Sequence, residues 1–453
     1  MSAAVGIAMM FLVKKQSSAK SNCQIQYIHP CDIRATRIEK FDWLKNNSIG
    51  NIHFDTIHPD RNNNWINLSD DNDWDELIPL IDKKKTNTVF NEFSNGINTA
   101  RDEWVYDFDI KALKKKVEYF KSVFNSSQDS NLEIKWSRDL KLKLKRKLKV
   151  EDYKIEYVIA NYRPFVKMNF SLNEIMVDVI SLNKSFFIDK NFSICCNVNG
   201  KDLRYIASNI YPDWHFIGDT KCLPLYHYDK EGNRIENITG WGLQQFVDHY
   251  QDNTIRKEEI FHYTYAVLHN PAYRKKYELN LKRDFPRLPF YEDFRKWAAW
   301  GKALMDLHIN YETVNPWPLE RHDFDVKAEA KRQKEMFSVA QETEEMYTRQ
   351  PKVKVKLKAD KTAGIIEIDE LTFLRTIPKE AWEYKLGNRS AIEWVLDQYK
   401  EKKPKDSTIA EKFNTYKFAD YKEQVIDLLE RVCTVSVETV KIVRQMEAGD
   451  SSD

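Results

Sequence analysis

Cysteine is scarce and scattered. Six positions in 453 residues, Cys23, Cys31, Cys195, Cys196, Cys222 and Cys433, make no CxxC pair and no disulfide framework. That argues against a stapled secreted scaffold and against structural zinc, and points to a reducing cytoplasm. Glycine is scarce too. With 12 glycines against 42% hydrophobic and 13% aromatic residues, the chain reads as globular rather than disordered, with length for a large core and for roughly two to four domains. Charge of one sign is also lacking. A formal net charge of +2 does not by itself imply a polyanion partner, so a nucleic-acid case has to rest on local clustering. No apolar run is long enough for a membrane: residues 3–13 fall short of the ~20 that a span needs and lack the basic segment that opens a signal peptide. They read as a strand buried on both faces.

What is present is strongest in residues 236–312. Ile260, Tyr263, Val267 and Leu268 share one helical face, with Glu258 and Glu259 in the first turn, where carboxylates complement the helix dipole. Asn270-Pro271 stops that helix, because proline lacks the N–H and clashes with the preceding turn. A second helix carries Tyr273, Tyr277 and Leu281; Pro286 and Pro289 break the chain; a third helix carries Phe294, Trp297, Ala298, Gly301, Leu304 and His308. Ahead of this centre, residues 3–13 and 23–28 read as two strands joined by the polar turn 14–21, and Asn95-Gly96 marks a tight turn before Trp104, Tyr106 and Phe108, which alternate as one face of a strand.

Positive charge concentrates in residues 135–150. Leu140, Leu144 and Leu148 anchor one side of a helix there, and Lys135, Arg138, Lys141, Lys143, Lys145, Arg146, Lys147 and Lys149 project from the rest. Such a helix either neutralises several phosphates or is a solvated face. Tyr162-Arg163-Pro164-Phe165 opens a run of strands, including residues 186–188 and 192–195; an arginine before proline at a strand entrance is held against a ligand or an acidic core partner. Residues 319–350 read as a charged helix or connector. Lys352, Lys354, Lys356 and Lys358 then alternate with Val353, Val355 and Leu357, and Ile366 and Ile368 return as a hairpin. Lysines on such a strand follow a DNA backbone or protect a sheet edge. Ser390 and Glu393 form a capping box, followed by the buried stripe Ile392, Val395, Leu396 and Tyr399.

The 236–312 unit resembles the C-terminal part of type ISP restriction-modification enzymes. So do Ser94-Asn95-Gly96-Ile97-Asn98-Thr99-Ala100-Arg101-Asp102-Glu103-Trp104-Val105-Tyr106, Tyr162-Arg163-Pro164-Phe165, Leu386 to Val395 and Val432 to Val443. The first is similar to the family pattern Ser-x-Gly-x-x-Thr-x-Arg-Asp-x-Trp-Val-Tyr, with Ala100 where Asn is expected. The Arg-Ser-x-x-Glu-Trp stretch is preceded here by Gly387-Asn388 rather than Asn-Gly. The resemblance implies an α+β fold: part of a methyltransferase α/β sheet in residues 1–108, a mixed strand-and-helix DNA target-recognition domain with a helical centre in 109–446, and a disordered tail in 447–453. It implies recognition of double-stranded DNA in the grooves, positioned by phosphate contacts. The DNA-facing candidates are Arg101, Lys141, Lys145, Arg146, Arg163, Arg204, Lys354, Lys356 and Arg389. In the irregular stretch 197–240, Asn209 and Lys221 join Arg204 as base-edge readers, and Ser436 is expected to cap the final helix.

Catalytic motifs of the family are missing from this stretch of sequence. There is no glycine-rich loop to hold S-adenosylmethionine and no [DNS]-Pro-Pro-[YF] loop to grip a flipped adenine. Asn270-Pro271-Ala272-Tyr273 departs from that loop at its second proline and follows a helix. No Walker lysine motif is present, and Glu133-Ile134-Lys135 and Glu383-Tyr384-Lys385 lack the strand-borne aspartate of a nuclease triplet. The acidic cluster Asp60, Asp70, Asp71, Asp73, Asp75 and Glu76, around Trp65 and Trp74, has no His or Cys at ligand spacing and reads as a solvated loop. S-adenosylmethionine, ATP and magnesium are therefore expected on other domains, carried by a separate methyltransferase or translocase polypeptide or lost. The alternatives are a methyltransferase or nuclease subunit active only with such a chain, and a structural remnant whose apolar start docks on one.

Overall fold

The computed structural model describes residues 10–13, 23–29, 37–59, 65, 73–82, 87–126, 134, 136–198, 203–324 and 353–450. Contacts divide the chain into two units, Met1–Asn72 and Asp73–Asp453. In the first, the strand Ile25–Tyr27 pairs antiparallel with Asp55–Ile57 and the helix Arg37–Asn46 lies between them in sequence. Met10 to Val13, expected in a buried strand, are exposed and outside any strand, because no described strand offers them a ladder. Residues 3–9, the turn 14–21 and Asp60, Asp70 and Asp71 lie outside the described residues.

The second unit begins earlier than the expected boundary at residue 108, because residues 73–108 are built into its sheets. Ser94–Asn95 pairs with Thr220–Pro224, which continues through Ser193–Asn197 to Tyr205–Ser208, all antiparallel. Both faces of this sheet are buried, and its side chains alternate between two cores. Ile194, Cys196, Tyr205, Ala207 and Leu223 face the helical centre, while Cys195, Ile206 and Cys222 face the C-terminal elements. Gly96 is not a hairpin residue. Its backbone presses so closely on the chain at Asp213 that a Cβ there would lie 2.6 Å from the Asp213 carbonyl oxygen.

A second four-stranded sheet orders Tyr211–Pro212, Glu156–Arg163, Val166–Leu172 and Tyr106–Asp107. The helix Ile110–Ser126 covers it with Leu113, Val117, Phe120 and Phe124, a stripe at helical spacing. Trp104 and Val105 are not on the expected strand. Asp102–Val105 coils into one helical turn that buries both side chains, and only Tyr106–Asp107 is extended. Residues 183–186 likewise form a helical turn where a strand through 186–188 was expected, with the strand starting at Ser193.

In the helical centre, Lys257–His269 crosses Phe294–Ile309. Burial here exceeds a single face: every residue from Ile260 to His269 is buried. Asn270 ends this helix and caps the next, Pro271–Lys276, by accepting from the Ala272 amide at 2.9 Å, so Asn270-Pro271 acts as a stop and a start. The helices approach at Gly301, where a Cβ would fall 1.8 Å from the His262 carbonyl oxygen.

The C-terminal elements comprise a four-stranded sheet ordered Glu320–Asp323, Thr372–Arg375, Ile365–Asp369, Val355–Asp360, together with the helices Ala391–Gln398 and Lys422–Asp450. The hairpin 355–369 and the Ser390–Glu393 capping box form as the sequence suggests. The strict lysine alternation does not. A bulge between Val355 and Lys358, with Leu357 at φ +43°, rotates the strand. Ser436 is no cap: it sits inside Lys422–Asp450 and donates back to the Val432 carbonyl at 2.7 Å. Of the charged stretch 319–350, Glu320–Asp323 is a strand and residues 325–350 are outside the described part. Gly301→Ala is expected to destabilise the protein by about 1–3 kcal/mol in chemical denaturation, whereas Gly240→Ala, with nothing within 4 Å of the added methyl, stays within about 0.5 kcal/mol of the parent.

Candidate nucleic-acid interface

The segment 94–106 works as a buried frame. Gly96 donates to the Thr220 carbonyl at 2.9 Å, Ile97 to Pro212 at 2.9 Å, and Trp214 donates back to Ile97 at 2.8 Å. Ala100 adopts φ +58°, a left-handed backbone that asparagine tolerates better than alanine, which accounts physically for an asparagine in the related pattern. Arg101 turns inward: it grips both Asp139 oxygens at 2.6 and 2.5 Å and donates to the Ser137 hydroxyl at 2.8 Å and the Met176 carbonyl at 2.6 Å. Burial works against the Asp139 charge, but the Ser137 hydroxyl and the Arg101 guanidinium hold its carboxyl below the ordinary range. Trp104 Nε1 donates to Asp406 at 2.9 Å.

Arg163, from the second matched stretch, also finds an acidic core partner. It pairs with Asp213 at 2.7 Å and Asp102 at 3.3 Å while stacking over the Tyr162 ring at 3.9 Å. Tyr106 donates to the same Asp213 carboxylate at 3.2 Å. Burial, followed by the charge of Asp102, pushes the Asp213 carboxyl up to about 7. Neither Arg101 nor Arg163 presents a free guanidinium to a phosphate in this arrangement, because burying such a charge requires pairing it.

What the frame supports is a loop. Asp213 accepts from the His215 amide at 2.8 Å, Trp214 Nε1 donates to Asp219 at 2.7 Å, and Lys221 lies 5.1 Å from the Trp214 ring centre while donating to Asn95 at 2.5 Å. Asn209, His215 and Asp219 are exposed around it. Of the residues named from the sequence, Asn209 and Lys221 lie at this loop; Trp214, His215 and Asp219 are not among them, although the Gly218-Asp219 dipeptide, here at positive φ, is a turn signal.

Beside the frame, Arg138–Lys145 buries Leu140 and half-buries Leu144; the helix ends before Leu148, which packs half-buried on the same core from the turn that follows. Lys143 does not project. It turns toward the carbonyls of Ile175 and Val177, at 3.2 and 2.7 Å, and toward Asp139 at 3.5 Å. Lys141, Lys145 and Arg146 are exposed, as are Arg138 and Lys147. Of the other candidates, Arg389, Lys354 and Lys356 sit on the C-terminal elements and Arg204, ahead of the strand Tyr205–Ser208, reaches toward them. Arg204 and Arg389 converge on Trp394, at 5.9 and 5.1 Å from its ring centre. The Gly387 turn, at φ +73° between Leu386 and Arg389, leaves room for the Arg204 guanidinium that a Cβ would strike at 2.4 Å. That φ at the first turn residue suits a glycine-first pair. Arg389 also pairs with Asp397 at 3.2 Å. Lys354 is exposed, whereas Lys356 pairs with Glu367 at 3.2 Å.

Among the described residues no group of three or more His, Cys, Asp or Glu is placed to hold a metal ion, and no helix is long and apolar enough to cross a membrane. Asp73 and Asp75, from the acidic cluster, pair instead with Lys276 and Arg287.

The type ISP C-terminal specificity domain matches residues 88–428. The chain belongs to this family. Among solved structures, the specificity-domain chain is similar to DrdV in a cryo-EM complex with DNA (40% identity, TM-score 0.79, covering 90% of this chain and 42% of that one). It also resembles a nuclease-deletion mutant of the type ISP restriction-modification enzyme LlaGI in complex with a DNA substrate mimic (29%, 0.72, 94% and 33%). The fold recurs in the ATP-dependent type ISP enzyme LlaBIII bound to DNA (23%, 0.69, 87% and 25%). This type ISP chain thus spans less than half the length of each. No curated protein matches it.

Ala100→Asn is expected to raise stability by roughly 0.5–1 kcal/mol, read as a higher denaturant midpoint. Arg101→Gln leaves Asp139 with the Ser137 hydroxyl and the more distant Lys143 as the one cation among the described residues, so a loss of about 3 kcal/mol is expected, against less than about 0.5 kcal/mol for the exposed Lys141→Gln.

Proposed function

We propose that this chain is the module that recognises a specific double-stranded DNA sequence in a type ISP restriction-modification system, directing adenine methylation and restriction. The observation that carries the reading is the specificity-domain match over residues 88–428, joined to similar structures that hold DNA. Lys141, Lys145 and Arg146 have the exposure that phosphate contact requires. The loop Asp213–Lys221, with Trp214, His215 and Asp219, has the polar and aromatic edge that base reading requires. S-adenosylmethionine, ATP and magnesium act, in this reading, on catalytic and motor portions outside the sequence considered, in the same polypeptide or on a separate methyltransferase or translocase chain. The length of the relatives supports that division, as do the exposed Met10 to Val13 and Ile38 and Leu44.

Selection of the purified chain on a randomised duplex pool, at two salt concentrations, tests the reading. An enriched motif of several base pairs is expected. Substituting Lys141, Lys145 and Arg146 by Gln should leave the motif unchanged and reduce the slope of log affinity against log salt by about 0.9 per lost phosphate contact. Salt-sensitive binding with no enriched sequence would sink the recognition reading.

A further inference from the structure

The start of the helix Pro271–Lys276, the turn at Gly387 and residues 439–443 of the C-terminal helix enclose a cleft of about 240 Å³, with Tyr205, His269, Arg274, Tyr384 and Lys385 on its wall. Among the described residues the two cations here have no paired carboxylate. Arg274 uses one of its five N–H donors on the Leu203 carbonyl at 2.6 Å and lies 5.6 Å from the Tyr205 ring centre. No carboxylate among the described residues pairs with it or with the exposed Lys385. The acid on the wall, Glu383, is engaged by Arg444 at 2.8 Å. The Arg274 charge acts on Tyr205, His269 and Tyr384 alike, so the guanidinium lies among them. Burial pushes the His269 imidazole down to about 4; the ring is neutral and neutralises nothing. Tyr384 is 7% exposed, yet among the described residues its hydroxyl has no hydrogen-bond partner.

A buried hydroxyl without a partner is costly, and a guanidinium with spare donors on the same cleft wall as a lysine is the arrangement that an oxyanion able to accept two hydrogen bonds satisfies. Leu203, Leu386, Val440 and Val443 add apolar surface to the wall, beside Thr439 and Glu383, and low-dielectric surroundings strengthen such a pairing. We propose that this cleft is a phosphate-binding site in which Arg274 and Lys385 hold the anion and the Tyr384 hydroxyl donates to it. The phosphate comes from a DNA backbone, in which case the proposal rests on the DNA-recognition reading, or from a free nucleotide.

The full chain, Lys385→Gln and Arg274→Gln are compared with three probes: inorganic phosphate and AMP, each titrated by ³¹P NMR, and a duplex titrated by anisotropy across salt concentration. Saturable broadening of phosphate or AMP that weakens at least tenfold in the variants supports the site and names a free nucleotide. A duplex salt slope that falls by about 0.9 per lost contact in the variants, with the small anions not binding, supports it and names DNA. Variants that match the parent with every probe overturn it. Arg274→Gln also removes the bond to Leu203, but Lys385→Gln breaks no pairing among the described residues and decides the matter if the first does not fold. The Lys141, Lys145, Arg146 variant keeps the two readings apart. Loss of duplex binding there, with none here, leaves DNA recognition standing without the cleft; phosphate binding with no duplex binding in the parent does the reverse.

Discussion

Asp213 is a carboxylate with almost no access to water, and two strands and a loop of the second unit keep it partnered. Arg163 and Tyr106 reach it from the two strands of one sheet, and the His215 amide reaches it from its own loop. Asp102 completes the set by sharing Arg163. Removing one member would strand a charge inside protein, which is far costlier than the pairing is favourable. The arrangement therefore specifies geometry more than it adds stability.

That geometry gives residues 94–106 and 162–165, two of the stretches that carry the family resemblance, a structural role although their arginines are not at the surface. Arg101 ties the frame to the basic helix through Asp139, Trp104 ties it to Asp406, and Gly96 brings the backbone against Asp213. The loop Asp213–Lys221 and the exposed cations of the basic helix are thus referenced to one rigid body. Reading base edges requires side chains held to within fractions of an ångström of their hydrogen-bonding positions, and loops achieve this only on a scaffold that does not yield.

Local signals in the sequence carried over well. The stop at Asn270-Pro271, the Ser390–Glu393 cap and the 355–369 hairpin are each decided by residues close in sequence. Arg101 was misjudged because its partner lies 38 residues away and the partner of Trp104 lies 302 away; no periodicity encodes such pairings. Lys143 was counted among projecting lysines for the same reason, since the carbonyls it meets belong to residues 175 and 177. The Arg274 cleft is not legible in the sequence, because its wall is assembled from four separate stretches of chain. Ser436 misled differently: a serine within an apolar run suggests a cap, but a helix that continues through it can return its hydroxyl to the preceding turn.

The central claim is that the shared arginines build the frame while other cations touch DNA. Residue-resolved covalent footprinting of lysine and arginine side chains, with and without a selected duplex, tests it most directly. The account predicts Lys141, Lys145 and Arg146 reactive in the free chain and protected on DNA, with Arg101 and Arg163 unreactive in both states. Arg101 or Arg163 reactive in the free chain and protected by the duplex would contradict it.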